Sequence, residues 1–248
     1  MKTSNKLFIA AMTTLILLLV IYDFGLKAEY VKGSAVYTGN DKILLDHKDF
    51  DRVRVNSAGV ISVFIVPGMH RIEVLKESAM DVKITQTGKL LTVDMNIPVD
   101  IDYYGNRKAV FIYMPNLKEL STDAQYTVKR VHQLRRRVKD TEELGVKVQG
   151  FTKNFSLDSL TVVQDNGSTV KLIGNKIGYL KTVSGMSTGS KSALNIKEGN
   201  QIQAAHFEVR GSSLLSLENV AIPILRIKAS DSAQIALTGA SSLSLLKK

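Results

Sequence analysis

The amino-acid sequence predicts a mostly β protein: a parallel β-solenoid-like domain with an N-terminal β-rich part, preceded by one transmembrane helix. Three observations predict it: an apolar run behind two lysines at the start of the chain, short alternating strands in residues 43 to 128, and aliphatic pairs that recur in the second half. The 248 residues are 44% hydrophobic and 23% charged, a composition typical of folded chains. The chain has no cysteine, which excludes disulfides, thiolate zinc sites and thiol catalysis.

The apolar run from Leu7 to Leu26 predicts a membrane-spanning helix. About twenty residues at 1.5 Å each extend roughly 30 Å, which matches the hydrocarbon core of a bilayer. A cut by signal peptidase after Ala28 would place the bulky Leu26 where a small residue is preferred, so we expect the segment to remain attached. The alternatives are a cleaved signal peptide, which would release a soluble exported protein, and a buried core helix.

The charges beside this run predict its orientation. Lys2 and Lys6 precede it, and positive residues favour the cytoplasmic side of a membrane. The sequence therefore predicts a single-pass protein of the bacterial inner membrane, with a cytoplasmic N-terminus and the domain on the periplasmic or exported side. In this prediction residues 1–27 are an uncleaved signal-anchor and residues 28–49 are a juxtamembrane linker.

Residues 43 to 128 alternate apolar and polar side chains with the period of two that is typical of strands. Six strands are predicted, at residues 53–55, 61–65, 71–75, 81–85, 90–95 and 109–114. Glycine and proline residues, including Pro67, Gly68 and Gly88, separate them. We expect an antiparallel-rich or mixed β segment.

The second half of the chain contains an imperfect repeat. Aliphatic pairs recur at steps of 24, 21 and 20 residues: Val170/Leu172, Leu194/Ile196, Leu215/Leu217 and Ile235/Leu237. A short, small-residue corner precedes each pair, and a second column precedes the corners: Leu160, Leu180, Phe207 and Leu225. Two strands and a turn per repeat predict stacked parallel β-solenoid coils. The alternative is a series of hairpins in a β-sandwich, whose strand spacing is similar.

Three segments resemble the family of autotransporter adhesin head domains called GIN: FDRVRVNSAGVISVFIVPGMHRIEVL (50–75), KAVFIYMPNLKEL (108–120) and SDSAQIALTGASSLSL (230–245). Met114, Pro115, Leu117 and Leu120 match the MPxLxxL segment of that family, and residues 239–241 match its Gly-Ala-Ser corner. The resemblance implies that residues 50–245 form a right-handed parallel β-helix-like domain of a bacterial envelope protein, of the kind found in Bacteroidetes. It implies no catalytic residues.

A charged insertion, KRVHQLRRRVKDTEELG (129–145), interrupts the predicted strands. Its basic residues are Lys129, Arg130, Arg135, Arg136, Arg137 and Lys139. Arginine binds phosphate and carboxylate groups through forked N–H donors, so these residues are a candidate anion-binding patch. The alternative is a solvated loop or short helix, in which the acidic residues that follow partly compensate the basic ones.

One catalytic pattern is present. Gly185, Ser187 and Gly189 fit the G-x-S-x-G nucleophile elbow, but an acid and then a histidine should follow the serine. Here His206 precedes Asp231, and the neighbouring residues do not predict a helix, so we interpret the motif as a serine-glycine corner. The chain has four histidines, none at the spacing of a metal site: His47, His70, His132 and His206. We expect no cofactor.

These observations predict a non-catalytic, membrane-tethered envelope protein with a binding, adhesion-like or scaffolding module. The net charge of +10 favours anionic partners. We expect the partners to be the membrane, through Leu7–Leu26, and an anionic envelope glycan or other envelope proteins, but not nucleic acid. The alternative function is a polysaccharide-processing enzyme on a β-helix scaffold, which would need a pair of acidic residues on one exposed sheet face.

Overall fold

The structure is a computed structural model that describes residues 12–15, 17–19, 22, 41–97, 109–136, 144–150 and 153–246. The chain divides into two compact units, Met1–Lys42 and Ile43–Lys248, and the second is the β-rich domain. Its alternating sequences form strands because aliphatic and β-branched side chains pack well on a pleated surface with one buried face.

The described strands are, in chain order, β1 (Lys42–Leu45), β2 (Arg52–Val55), β3 (Ser62–Pro67), β4 (Arg71–Leu75), β5 (Val82–Thr87), β6 (Leu90–Ile97), β7 (Ala109–Met114), β8 (Glu119–Thr122), β9 (Gln125–Val128), β10 (Val131–Leu134), β11 (Gly145–Gln149), β12 (Ser156–Gln164), β13 (Thr169–Ile173), β14 (Lys176–Ser184), β15 (Ala193–Ile196), β16 (Gln201–Val209), β17 (Leu214–Glu218), β18 (Ile224–Ala229) and β19 (Gln234–Thr238). A short 3-10 turn, Lys76–Ser78, follows β4, and a helix, α1 (Ala240–Leu246), follows β19.

The strands form two large mixed sheets. Sheet 1 has the order β1-β4-β7-β3-β11-β13-β15-β17-β19. Sheet 2 has the order β10-β9-β6-β2-β8-β12-β14-β16-β18, and β5 pairs with β6 beside this path. From β11 onward the chain alternates between the two sheets, and from β13 onward each new strand pairs in parallel with the strand two before it.

The inward-facing side chains of these strands form one large hydrophobic cluster. The sequence repeat determines how the second half of this cluster packs. Its members are register partners in successive strands of sheet 1: Val170, Leu194, Leu215 and Ile235. The first three are buried, whereas Ile235, in the edge strand β19, is 39% exposed. The predicted recurrence of aliphatic pairs is therefore confirmed as a column in the core.

Short polar side chains fill the tight corners between strands. Ser192 and Ser213 are both buried, and the Ser192 hydroxyl donates a hydrogen bond to Ser213 Oγ at 3.1 Å. At the corners that follow the strands of sheet 1, Asn200 Oδ1 accepts a hydrogen bond of 2.9 Å from the Asn175 amide. Buried hydroxyls and amides need partners, and residues at the same corner of neighbouring repeats supply them.

The prediction of a right-handed parallel β-helix or β-solenoid is wrong as stated, because the described strands form two mixed sheets. Three pairs, β4 with β7, β5 with β6 and β9 with β10, are antiparallel. Aliphatic spacing reports which residues face the core, but not the direction in which the neighbouring strand runs. At Gly88, where φ is 56°, the chain reverses tightly into a hairpin. The expectation of a mixed β segment in residues 43 to 128 is confirmed.

No helix among the described residues is long and apolar enough to cross a membrane. Most of the predicted anchor, Leu7–Leu26, lies outside the described residues; residues 12–15, 17–19 and 22 are described and helical. The seven residues of α1 extend roughly 10 Å, against about 30 Å for a hydrocarbon core. The prediction of a transmembrane helix and a single-pass inner-membrane location is corrected accordingly. The prediction rested on the hydropathy of Leu7–Leu26, and hydropathy alone does not establish a membrane-spanning helix.

Two positions of the aliphatic column in sheet 1, Leu215 and Ile235, should contribute differently to the free energy of unfolding. Leu215→Ala should lower the free energy of unfolding by about 2 to 5 kcal/mol, because Leu215 is fully buried and its removal leaves a cavity. Ile235→Ala, at the partly exposed end of the same column, should cost only about 1 kcal/mol. Denaturant unfolding of both variants measures the difference. Equal losses would contradict the column as described.

Candidate functional site

The first part of the predicted basic patch is a hairpin turn. Lys129 and Arg130 have φ values of 47° and 69°, and they join β9 to β10, where Val128 pairs with Val131. Two consecutive residues with positive φ are typical of a type I′ turn, which matches the twist of a two-stranded ribbon. All four residues of β10 are exposed. The segment is therefore an exposed hairpin, and neither the loop nor the helix considered for it.

Arg135 and Arg136 bind the corners of the domain. The Arg135 amide donates to the Ala124 carbonyl at 2.9 Å, and the Arg135 carbonyl accepts from the Gly167 amide at 2.7 Å. The Arg136 carbonyl accepts from the Lys191 amide at 3.0 Å. We call residues 135–136 the strap, because their backbone connects three successive corners.

The strap also uses one of the guanidinium groups of the patch. Arg136 Nη1 donates a hydrogen bond of 2.6 Å to the carbonyl oxygen of Thr188. The strap begins five residues after the hairpin turn, roughly 16 Å along an extended strand. The structure thus separates Lys129 and Arg130 from Arg135 and Arg136, and Arg137 and Lys139 lie outside the described residues.

The serine of the elbow-like motif belongs to the same corners. The Ser187 hydroxyl donates to Asp165 Oδ2, and the Ser187 and Asn166 amides donate to Asp165 Oδ1 at 3.0 and 2.8 Å. Burial alone would raise the pKa of Asp165, but these hydrogen bonds, with one from Ser190, lower it below its ordinary value. His206 lies on another element, within β16. Ser187 is therefore part of a structural corner, which the buried carboxylate of Asp165 holds together by hydrogen bonds.

The outer face of sheet 2 carries a basic row that the sequence analysis did not identify. Lys181 in β14 pairs in register with His206 in β16, which pairs with Arg226 in β18. Neighbouring strands lie about 4.8 Å apart, so the three side chains leave the sheet within roughly 10 Å. Leu180 and Ala205, which precede two of these residues, are buried, so the row itself faces outward. We call Lys181, His206 and Arg226 the basic row.

The basic row has no neutralising partner within the described part of the chain. Lys181 and Arg226 are exposed and His206 is partly buried, and none of their side chains makes a hydrogen bond or ion pair with another described residue. Further along the same row of register partners, in β8 and β2, a negative charge stands beside a positive one, because Glu119 pairs with Arg52. The positive charge is therefore concentrated at one end of the sheet.

The nearest carboxylate on this face is already occupied. Glu208, two residues after His206 in β16, accepts hydrogen bonds from Arg210 Nε at 3.1 Å and Nη2 at 3.0 Å. Lys228 Nζ lies 3.6 Å from the same oxygen. Hydrogen bonding to Arg210 holds the pKa of Glu208 below its ordinary value. Glu208 is thus committed to two other cations and leaves the basic row uncompensated.

A register error in the sequence analysis concealed the basic row. The second predicted column contained Phe207, but the structure places Ala205 beside Leu180 and Leu225, and Phe207 beside Thr182. Alanine is too weak an apolar signal to mark a core position by itself. With Ala205 in the column, the residue after each of its last three members is basic, which is the signal that could have revealed the row.

Two of the other histidines make hydrogen-bond contacts. His47 Nδ1 lies 3.2 Å from Gln86 Oε1, and His70 Nε2 lies 2.8 Å from the Phe50 carbonyl oxygen. No group of three or more histidine, aspartate and glutamate residues in the described ranges could hold a metal ion. The expectation of no cofactor stays a prediction.

Asp165→Asn tests the corner network. The folded-state pKa of Asp165 lies below the ordinary 3.8, so its charge stabilises the fold above that pH, and the contribution disappears as the pH falls through the folded-state value. We expect the variant to lose about 1 to 3 kcal/mol of unfolding free energy at neutral pH and progressively less in acid. Denaturant unfolding across pH measures this. Asp231→Asn, in an exposed corner, is the control, and a deficit that persists in strong acid would contradict the assignment.

The chain matches no protein-family model and no curated protein. Among solved structures, it is similar to a protein from Bacteroides fragilis provisionally described as an adhesin, with 11% identity, a TM-score of 0.38, and coverage of 79% of this chain and 96% of that one. A second such adhesin, from Parabacteroides merdae, has 11% identity, a TM-score of 0.36, and coverage of 80% and 92%. A provisionally described lipid-binding protein from Parabacteroides distasonis has 13% identity, a TM-score of 0.27, and coverage of 79% and 96%. The function proposed below therefore rests on the surface of this chain.

Proposed function

We propose that the domain is a non-catalytic, adhesion-like binding module that holds a polyanionic component of the cell envelope on the outer face of sheet 2. The observation that carries this proposal is the basic row, in which Lys181, His206 and Arg226 stand side by side without a carboxylate partner among the described residues. The ligand class is a polymer or surface with closely spaced negative groups, such as an acidic glycan.

Lys181 and Arg226 are cations held roughly 10 Å apart on one face of the sheet, so they repel each other. Nothing in the packing of the core requires basic side chains on this outer face. An anion placed over the row would relieve this repulsion and gain charge-assisted hydrogen bonds. The strands hold the three side chains at fixed spacing, so little conformational entropy would be lost beyond that of the side chains.

The contacts of the acidic residues support a role without catalysis. Asp165 is held by amide and hydroxyl donors, and its lowered pKa makes it a poor general acid at neutral pH. Asp123 accepts hydrogen bonds from the side chains of Asn166 and Gln125. Glu208 is engaged by two cations. The enzyme alternative requires a carboxylate pair free to act on a substrate, and these three carboxylates are occupied.

Two finer interpretations belong to this proposal. The first is that residues 50–245 form one domain of the GIN family. It is supported by the complete burial of Met114, Leu117 and Leu120, which matches a structural role for the MPxLxxL segment. The second is that the predicted patch contributes to anion binding through the hairpin turn, where Lys129 and Arg130 are exposed.

A matched pair of variants tests the proposal with dextran sulfate as the probe. Lys181→Gln with Arg226→Gln removes two charges from the basic row, and we expect the affinity of the full chain to fall by roughly fivefold to thirtyfold. Lys129→Asn with Arg130→Gly removes two charges from the hairpin turn and keeps residues that favour a type I′ turn. We expect this variant to lose only about twofold, because the contribution of the hairpin turn is a general attraction that falls with the net charge.

Binding is measured by calorimetry at low and moderate salt, with neutral dextran as the control polymer. Equal losses in both double variants would attribute the affinity to net charge and reject the basic row as the site. A larger loss in the hairpin variant would transfer the site to the predicted patch. Circular dichroism verifies that both variants are folded.

A further inference from the structure

We propose that the outer face of sheet 2 docks onto the surface of an anionic lipid bilayer, with headgroups on the basic row and two apolar side chains entering the interface. This inference rests on the proposed function for the basic row and adds the chemical class of the ligand. It comes from a second row, which runs beside the basic row two residues earlier in each strand.

The second row is apolar and exposed. Tyr179 in β14 pairs in register with Ala204 in β16, which pairs with Ile224 in β18. Tyr179 is 44% exposed and Ile224 is 61% exposed. Two residues along a strand correspond to roughly 6.7 Å, so each member stands one side-chain diameter from its basic counterpart. We call Tyr179, Ala204 and Ile224 the apolar row.

An irregularity in β12 and β14 precedes the apolar row. Register pairing between β12 and β14 omits Asp158 and Gly178, and both Asp158 and Ser159 are exposed where alternation would bury one of them. A side chain at Gly178 would have its Cβ 2.5 Å from the Asp158 carbonyl oxygen, so this approach of two backbones requires glycine. The alternation of inward and outward residues slips by one at Gly178, and Tyr179 faces outward before the buried Leu180.

The two rows together have the chemistry of a bilayer interface. Single exposed apolar residues are common, but here two of them lie directly beside two unpaired cations, Lys181 and Arg226, and a histidine. Tyrosine is enriched at membrane interfaces because its ring is apolar and its hydroxyl is polar. Basic residues are attracted to anionic headgroups within the same few ångströms. A soluble acidic glycan would satisfy the basic row but would leave Ile224 in water.

The residues around the two rows are also compatible with contact to a flat bilayer surface. Ala204, between Tyr179 and Ile224, is too small to obstruct an approaching headgroup. The carboxylate nearest the basic row, Glu208, is held by Arg210 and Lys228 and adds positive groups around itself. Asp158 lies on the far side of Tyr179, one strand away from the basic row.

The experiment measures co-sedimentation of the full chain with vesicles of phosphatidylcholine alone and of phosphatidylcholine mixed with phosphatidylglycerol. We expect binding to the anionic vesicles only. Tyr179→Ser with Ile224→Ser should weaken vesicle binding by roughly fivefold to twentyfold, through loss of apolar area, and should leave binding to dextran sulfate unchanged. Met69→Ser with Met80→Ser removes two apolar side chains of 90% and 97% exposure elsewhere and serves as the control.

The outcomes separate the two proposals. Binding to dextran sulfate without binding to anionic vesicles would reject the lipid surface and leave the proposed function intact. Binding to neither probe would reject both. Equal binding to neutral and anionic vesicles, or an equal loss in the methionine control, would also overturn this inference. Selective loss of vesicle binding in the Tyr179 and Ile224 variant supports it.

Discussion

Register between neighbouring parallel strands is the constraint on which the rest of the domain depends. Val170, Leu194 and Leu215 form a buried column because each strand meets the corresponding residue of the next repeat. A slip of one residue would turn every aliphatic side chain of a strand toward solvent and every polar one into the core. In sheet 2 the strand register likewise buries Leu180 and Ala205 and aligns the residues after them, Lys181 and His206, with Arg226, so the charged surface and the interior beneath it are fixed together.

Much of the fold could be predicted because burial leaves a periodic trace in the sequence. The strands between residues 52 and 114 and the aliphatic pairs of the repeat were located from alternation alone. Alternation identifies the face of a strand but carries no information about its partner. An antiparallel-rich or mixed segment was therefore expected for residues 43 to 128, but its particular partners, β5 with β6 and β4 with β7, were not predicted, and the second half was taken for a solenoid.

The candidate site was harder to predict because its residues are far apart in sequence. Lys181 and Arg226 come together only when the register of three strands is known, and one ambiguous alanine, Ala205, shifted that register by two positions. The basic run of residues 129–139 was conspicuous for the opposite reason, since its charges are contiguous in sequence. Folding disperses the four that the structure describes, because Lys129 and Arg130 lie in a hairpin turn and Arg135 and Arg136 lie in the strap.

The hairpin turn and the strap differ in how well they would tolerate an inserted peptide. Among the described strands, β10 pairs only with β9, so a peptide inserted between Lys129 and Arg130 would extend into solvent without displacing a core residue. An insertion within the strap would pull apart the three corners that the backbones of Arg135 and Arg136 connect by hydrogen bonds. Length differences among related chains, and any affinity tag or fluorophore added by design, should accordingly be tolerated at the turn and rejected at the strap.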